Sequence, residues 1–304
     1  MKNPVARTRL VVVLLVALVV MASLLVAAPG TSSVDRTETG LARTAEAAQP
    51  SCPPSGLTVV DHGQLRVPAG AKPGATRLLV AVMSGGDGDA DDYLKLAATA
   101  NREGIAVLYP TGRAGSIWQI SKSFGSSDVQ VVVDLLDRVE ASGCFDTRRI
   151  SITGVSNGAG FAARMACTLP ARFAAVVAVS AGYRALDPCP GVRASFLAIH
   201  GSADQIVPFN GRPPDYRGNV LRYTTDWARR DGCSTTPSSY RARHAVTHFV
   251  FPGCPSGLRV EVQRLEGTDH GWPGATPPFP SRNPSGVNAN LEVVRFVRHA
   301  VRPS

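Results

Sequence analysis

The sequence predicts an α/β fold: a single domain with a mostly parallel central sheet and helices on both faces. Short apolar runs, typical of strands buried on both sides, alternate with longer amphipathic segments. Strands that alternate with helices form parallel sheets. The chain has 304 residues, 44% of them hydrophobic and 18% charged. That composition is suited to a large core and excludes a disordered chain.

The elements follow one another in a regular order. Buried strands are predicted at residues 77–83, 105–109, 150–153, 174–180, 196–200 and 259–265. Helices are predicted at residues 91–101, 128–141, 158–169, 221–230 and 291–301. Open parallel sheets carry their sites at the carboxyl ends of the strands, so the turns after residues 83, 153, 200 and 265 are the first candidates.

The N-terminus has the pattern of an export signal. Lys2, Arg7 and Arg9 precede an apolar run over residues 10–28. We therefore expect a signal peptide at residues 1–29, which is also long enough to serve as an uncleaved membrane anchor. Residues 30–51 are predicted to be a flexible leader, and residues 52–304 the catalytic domain. The expected location is extracellular.

Six cysteines follow this segment, and an even number in an exported chain predicts up to three disulfides. Fifteen pairings are possible. Spacing along the chain favours Cys233–Cys254 and Cys167–Cys189, which leaves Cys52–Cys144. No two cysteines are separated by two to four residues, which argues against a zinc site.

The formal net charge is +9, but the basic residues are scattered along the chain. No block of five or six like charges occurs, and aromatic residues are not interleaved with basic ones. Nucleic acid is therefore not expected as a partner, and a membrane is expected only if the N-terminal segment stays uncleaved.

A nucleophile is predicted in the turn after residue 153. The sequence Gly154-Val155-Ser156-Asn157-Gly158 lies between a predicted strand and a predicted helix, the setting in which G-x-S-x-G forms a nucleophile elbow. The tight turn requires small flanking residues and raises the serine hydroxyl above the sheet. The alternative is a glycine-rich connection with an incidental serine.

A serine nucleophile needs a base, and the base needs an orienting acid. His270 follows the last predicted strand and is the expected base; the alternative is a surface histidine. Asp204 follows the strand ending at residue 200 and is the expected acid. Three other aspartates are weaker candidates for the acid: Asp187, Asp215 and Asp269.

Two backbone N–H groups are expected to form an oxyanion hole. One belongs to Asn157, the residue after the nucleophile. The other is assigned to Gly86, with Gly85 second, in the glycine-rich turn after residue 83. No Gly-Lys-Ser/Thr follows this turn, which argues against phosphate binding. No metal or organic cofactor is needed for this chemistry.

Three motifs resemble the secreted esterases that group feruloyl esterases with poly(3-hydroxybutyrate) depolymerases, in carbohydrate esterase family one. They begin at Gly154, His200 and His270, and the last reads His-Gly-Trp-Pro-Gly. The resemblance implies an α/β-hydrolase fold with Ser156, Asp204 and His270 as a catalytic triad. It also suggests that Trp272 lines the acyl pocket, although packing of a turn explains this residue equally well. Trp118 is a weaker candidate for the same pocket.

The family usually opens its oxyanion loop with His-Gly, whereas this chain has Ser84-Gly85. The expected function is a secreted serine esterase that works through an acyl-enzyme, acting on feruloyl or related plant cell-wall esters. A poly(3-hydroxybutyrate)-type depolymerase is the first alternative. It ranks second because depolymerases that attack solid polyester typically carry a separate binding domain, which favours soluble or oligomeric esters as the expected substrates here. An acyltransferase and a catalytically silent binding protein of the same fold are the others.

Overall fold

A ten-stranded sheet runs through the part of the chain that the computed structural model describes, residues 49–83, 94–112, 117–120, 127–183, 189, 191, 193–212, 218–242, 245–275 and 282–303. These residues belong to one compact unit. The strands are β1 Gly56–Val60, β2 Gly63–Val67, β3 Thr76–Val82, β4 Ile105–Pro110, β5 Phe145–Val155, β6 Ala175–Val179, β7 Ser195–Gly201, β8 Ser238–Ala242, β9 Val246–Phe251 and β10 Val260–Leu265.

The strand order is β1-β2-β4-β3-β5-β6-β7-β10-β9-β8. The six strands from β4 to β10 in this order are parallel. The pairs at both edges are antiparallel. The carboxyl ends of β5, β6, β7 and β10 therefore lie side by side, at the same end of the parallel strands. The predicted functional turns after residues 153, 200 and 265 start there.

Helices cover both faces of the sheet, as predicted. They are α1 Leu96–Arg102, α2 Ser127–Glu140, α3 Asn157–Thr168, α4 Val220–Arg230 and α5 Ala289–Val297, and a short 3₁₀ turn spans Pro255–Gly257. Residues of α2, α3 and α4 share one hydrophobic core with the sheet. Residues of α1 and α5 form a second core on the opposite face. Burial of the sheet between two helical layers explains why its central strands read as continuous apolar runs.

All six predicted strands and all five predicted helices are present, with boundaries shifted by a few residues. The β1–β2 hairpin and strand β8 were not predicted. Residues of β1 and β8 are mostly exposed or half-buried, so neither strand carries the apolar run of a central strand. Strand β9 is not among the six predicted strands either, and it lies one position in from the edge of the sheet.

Three disulfides connect the cysteines in the pairs that spacing favoured. Cys52 bonds to Cys144, Cys167 to Cys189 and Cys233 to Cys254. The first joins the segment before β1 to the start of β5, across 92 residues. The other two each close a short loop, with sequence separations of 22 and 21 residues.

The predicted signal peptide at residues 1–29 lies outside the described residues, as does nearly all of the predicted leader at residues 30–51. Among the helices that the structure describes, none combines the length and the apolar character that a membrane crossing requires.

Candidate active site

Ser156 occupies a sharp turn between β5 and α3. Its backbone has φ 54° and ψ −121°, a conformation that non-glycine residues rarely adopt and that costs on the order of 1–3 kcal/mol. The two flanking residues must be glycines, because the backbone leaves no room for a side chain at either position. A Cβ atom on Gly154 would lie 2.6 Å from the carbonyl oxygen of Gly158, and one on Gly158 would lie 2.3 Å from that of Val82. The turn therefore has the geometry of a nucleophile elbow.

Backbone hydrogen bonds fix this turn against the neighbouring strand. The N–H of Ser156 donates to the carbonyl of Val179 at 3.0 Å, and the N–H of Gly182 donates to the carbonyl of Ser156 at 3.1 Å. Asn157 is the first residue of α3, so its N–H is one of the helix donors without an intrahelical acceptor. Positive potential at the helix N-terminus favours negative charge at this point.

Asp204 lies in the turn after β7 and is 3% exposed. Its Oδ1 accepts hydrogen bonds from the N–H groups of Ile206 at 3.0 Å and Val207 at 2.7 Å. Its Oδ2 lies 2.8 Å from Nδ1 of His270 and 3.3 Å from Nε2 of His200. Burial on its own raises the pKa of Asp204. The hydrogen bonds from the two histidines and from the Val207 N–H outweigh burial and hold the pKa well below its usual range.

His270 lies in the turn after β10, with a side chain that is 9% exposed. Close backbone packing brings this turn to Asp204: a Cβ on Gly201 would lie 2.1 Å from the carbonyl oxygen of Thr268. Because the ring contacts the carboxylate through Nδ1, the Nε2 atom is left for another partner. The structure thus brings Asp204 and His270 together, as expected.

The His270 turn is also attached to the strand beside the elbow. The hydroxyl of Ser180 donates to the carbonyl of Gly271 at 2.9 Å and accepts from its N–H at 3.3 Å. Ser180 directly follows Val179, which accepts the hydrogen bond from Ser156. The backbones of Ser156 and of Gly271, the residue after His270, are therefore linked through two adjacent residues at the end of β6.

His200 is a site residue that the sequence analysis did not assign, since it precedes Asp204 and fell outside the expected order. It is fully buried, and its Nε2 lies 2.7 Å from the carbonyl of Val207 as well as 3.3 Å from Asp204. The Val207 carbonyl can only accept a hydrogen bond, so Nε2 of His200 is the donor, and Nδ1 has no hydrogen-bond partner among the described residues. The four-residue spacing between His200 and Asp204 does not by itself indicate this contact, because the contact depends on how the turn after β7 folds.

Both tryptophans assigned to the acyl pocket are buried. Trp272 is 0% exposed, and its indole N–H donates to Oδ1 of Asn290 at 2.8 Å. This arrangement favours the packing alternative for Trp272. Trp118 is 2% exposed, and its ring stacks on Phe161 of α3. A role in lining an acyl pocket stays a prediction for both.

The other predicted residues fall into two groups. Residues that lie outside the described part of the chain are Ser84, Gly85, Gly86, Asp187 and Asp215. Asp269 is described, and its N–H donates to the carbonyl of Arg282. The carboxylate that meets the His270 ring is nevertheless that of Asp204, which supports the ranking of the two aspartates.

Comparison with known proteins gives matches to esterases. A family model described as "Esterase PHB depolymerase" matches residues 63–186, a stretch that contains Ser156 and Asn157 and ends before Asp204. The "Probable feruloyl esterase C" of Aspergillus niger is 33% identical over 162 residues, covering 48% of this chain and 56% of that protein. The protein of the same name from Aspergillus oryzae is 29% identical over 157 residues, covering 50% and 53%. The chain thus spans about half the length of these relatives.

Among solved structures, an acetyl xylan esterase from Aspergillus awamori superimposes with a TM-score of 0.55 at 18% identity. The match covers 74% of this chain and 96% of that one. The fold is that of an α/β hydrolase. The sequence matches confirm the resemblance to the family of feruloyl esterases and poly(3-hydroxybutyrate) depolymerases.

Proposed function

We propose that this protein is an exported serine esterase that hydrolyses carboxylic esters through an acyl-enzyme, with Ser156, Asp204 and His270 as its triad. The observation that carries the proposal is the 2.8 Å hydrogen bond between buried Asp204 and His270, on a turn attached to the strand beside the strained Ser156. The three disulfides and the basic, apolar N-terminus support export.

In the first step, Nε2 of His270 accepts the proton of the Ser156 hydroxyl while Oγ attacks the ester carbonyl. Asp204 accepts a hydrogen bond from Nδ1, which fixes the tautomer and stabilises the imidazolium that forms. His270 then returns the proton to the departing alcohol. In the second step His270 activates a water molecule, which attacks the acyl-enzyme, and the acid is released with Ser156 restored.

The negative charge on the carbonyl oxygen needs donors in both steps. The N–H of Asn157, at the N-terminus of α3, supplies one. Gly86 remains the proposed second donor. Loss of a single donor of this kind costs about 10²- to 10³-fold in kcat.

Feruloyl or related plant cell-wall esters are the proposed substrates. The names of the matched relatives, feruloyl esterase C among them, support this class. The family model described as "Esterase PHB depolymerase" supports a short polyester depolymerase as the alternative. Acyl transfer to a sugar uses the same acyl-enzyme and differs only in the acceptor.

Hydrolysis of a small panel tests the proposal: methyl ferulate, p-nitrophenyl acetate and a 3-hydroxybutyrate oligomer, with the wild type and Ser156→Ala. We expect wild-type turnover of methyl ferulate, and a kcat at least about 10³-fold lower in the variant, because the nucleophile is lost. Turnover of the hydroxybutyrate oligomer alone would support the depolymerase alternative. Equal activity of the two proteins, or no activity in either, would contradict the proposed function.

A further inference from the structure

Trp118 is buried next to the candidate active site and contacts both the start of α3 and the end of β3. The side-chain amide of Asn157 is clasped to its backbone: Oδ1 of Asn157 accepts from the N–H of Trp118 at 2.7 Å, and Nδ2 donates to its carbonyl at 3.1 Å. The two residues are 39 positions apart in the chain. The clasp therefore holds the residue that follows the nucleophile against a separate loop.

The indole of Trp118 is anchored at two further points. Its Nε1–H donates to the carbonyl of Met83, directly after β3. Its ring stacks on Phe161 of α3, with centroids 4.7 Å apart and an interplanar angle of 27°. Met83 is the residue from which the chain enters the turn assigned to the second oxyanion donor. Trp118 thus connects the end of β3 with α3: its indole bonds to Met83 and stacks on Phe161, while its backbone holds the side chain of Asn157.

We infer that Trp118 is a positioning residue, which fixes the backbone N–H of Asn157 relative to the end of β3. The inference rests on the proposed function, because the contacts of Trp118 matter for catalysis only if the N–H of Asn157 binds the oxyanion. Donors act on developing charge only when they are held in place before the reaction. A displacement of about 1 Å at a catalytic group costs up to about 10²-fold in rate.

The hydrogen bond from the Trp118 indole to Met83 fixes the residue directly before Ser84, where the turn assigned to the second oxyanion donor begins.

The test is Trp118→Phe, which keeps a buried ring against Phe161 and removes the indole N–H. Trp227→Phe is the matched control. Trp227 is also fully buried, stacks on a phenylalanine (Phe196, centroids 4.4 Å apart) and donates its indole N–H to the carbonyl of Ala194 and to Oδ2 of Asp231, each at 3.1 Å. The control therefore loses the same kind of ring and hydrogen bond at a place with no part in the proposed mechanism.

For methyl ferulate we expect Trp118→Phe to lower kcat about 10- to 100-fold with KM changed less than about threefold, because the transition state loses more than the ground state. Trp227→Phe should keep kcat within about threefold of the wild type, even where the two variants lose similar thermal stability. Asn157→Ala removes the clasp itself, which Trp118→Phe leaves in place, and it keeps the backbone donor, so it serves if Trp118→Phe fails to fold. The loss in kcat of Asn157→Ala should be similar to that of Trp118→Phe. The double variant Trp118→Phe/Asn157→Ala should lose no more kcat than the more impaired of the two single variants.

A kcat of Trp118→Phe within about threefold of the wild type, or an equal loss in Trp227→Phe, would overturn the inference while leaving the proposed function intact. A loss confined to KM would do the same, since it would show that Trp118 acts on substrate binding. A wild type without esterase activity, or an active Ser156→Ala, would instead contradict the proposed function, and the inference with it.

Discussion

Asp204 and Asp231 are both buried carboxylic acids, but their surroundings shift their pKa values in opposite directions. Asp204 accepts hydrogen bonds from two histidines and from backbone N–H groups, so its charged form is favoured despite burial. Burial dominates at Asp231 and raises its pKa from 3.8 to about 7, although the N–H of Arg193 and the indole of Trp227 donate to it. The two pKa values shift in opposite directions because more hydrogen-bond donors surround the carboxylate of Asp204 than that of Asp231. Asp204 is kept charged, as an orienting acid must be.

The pKa of Asp231 predicts a pH-dependent stability. The folded protein keeps this proton up to about pH 7, whereas the unfolded chain releases it near pH 4. Unfolding therefore releases a proton between these values, and the free energy of unfolding falls as pH rises, by up to about 1.4 kcal/mol per pH unit. Urea unfolding of the wild type and Asp231→Asn at pH 5, 6, 7 and 8 measures the effect. We expect the wild type to lose stability relative to the variant up to about pH 7; a constant difference across the series would contradict this.

At the scale of elements, the strand–turn–helix unit of β5 and α3 depends on close backbone contact with β3. Gly158 lies so close to Val82 that no side chain fits between them. This contact places the end of β3 next to the turn that carries Ser156. Trp118 contacts the same strand end through its hydrogen bond to Met83. Packing of one helix start against one strand end thus sets the geometry of the site.

Gly158→Ala tests this dependence. The added Cβ would meet the Val82 carbonyl oxygen at 2.3 Å, so the helix start or the strand end must move. We expect kcat to fall about 100-fold or more, and the free energy of unfolding to fall by about 1–3 kcal/mol. Steady-state kinetics and urea unfolding measure the two effects. The control is Gly218→Ala, where the added Cβ meets no atom within 4 Å. Wild-type kinetics in Gly158→Ala would show that the elbow tolerates the displacement.

At the scale of the whole molecule, the central sheet was predictable because its strands are buried between two helical layers. The sequence could not show β1 and β8, whose exposed residues carry no burial pattern. Asp204 and His270 were predictable from their position after strands and from their chain order. The contact of His200 with Asp204 was not, because it depends on how the turn after β7 folds back over the strand. The clasp between Trp118 and Asn157 joins distant segments and leaves no local pattern.

The most direct test of a nucleophilic Ser156 is reaction with a fluorophosphonate probe, followed by intact-mass and peptide mass spectrometry. The probe forms a covalent bond only with a serine that an adjacent base activates. We predict one adduct per chain, located on Ser156, with labelling abolished in Ser156→Ala and strongly slowed in His270→Ala. An unlabelled wild type, or an adduct that persists in Ser156→Ala, would contradict the account.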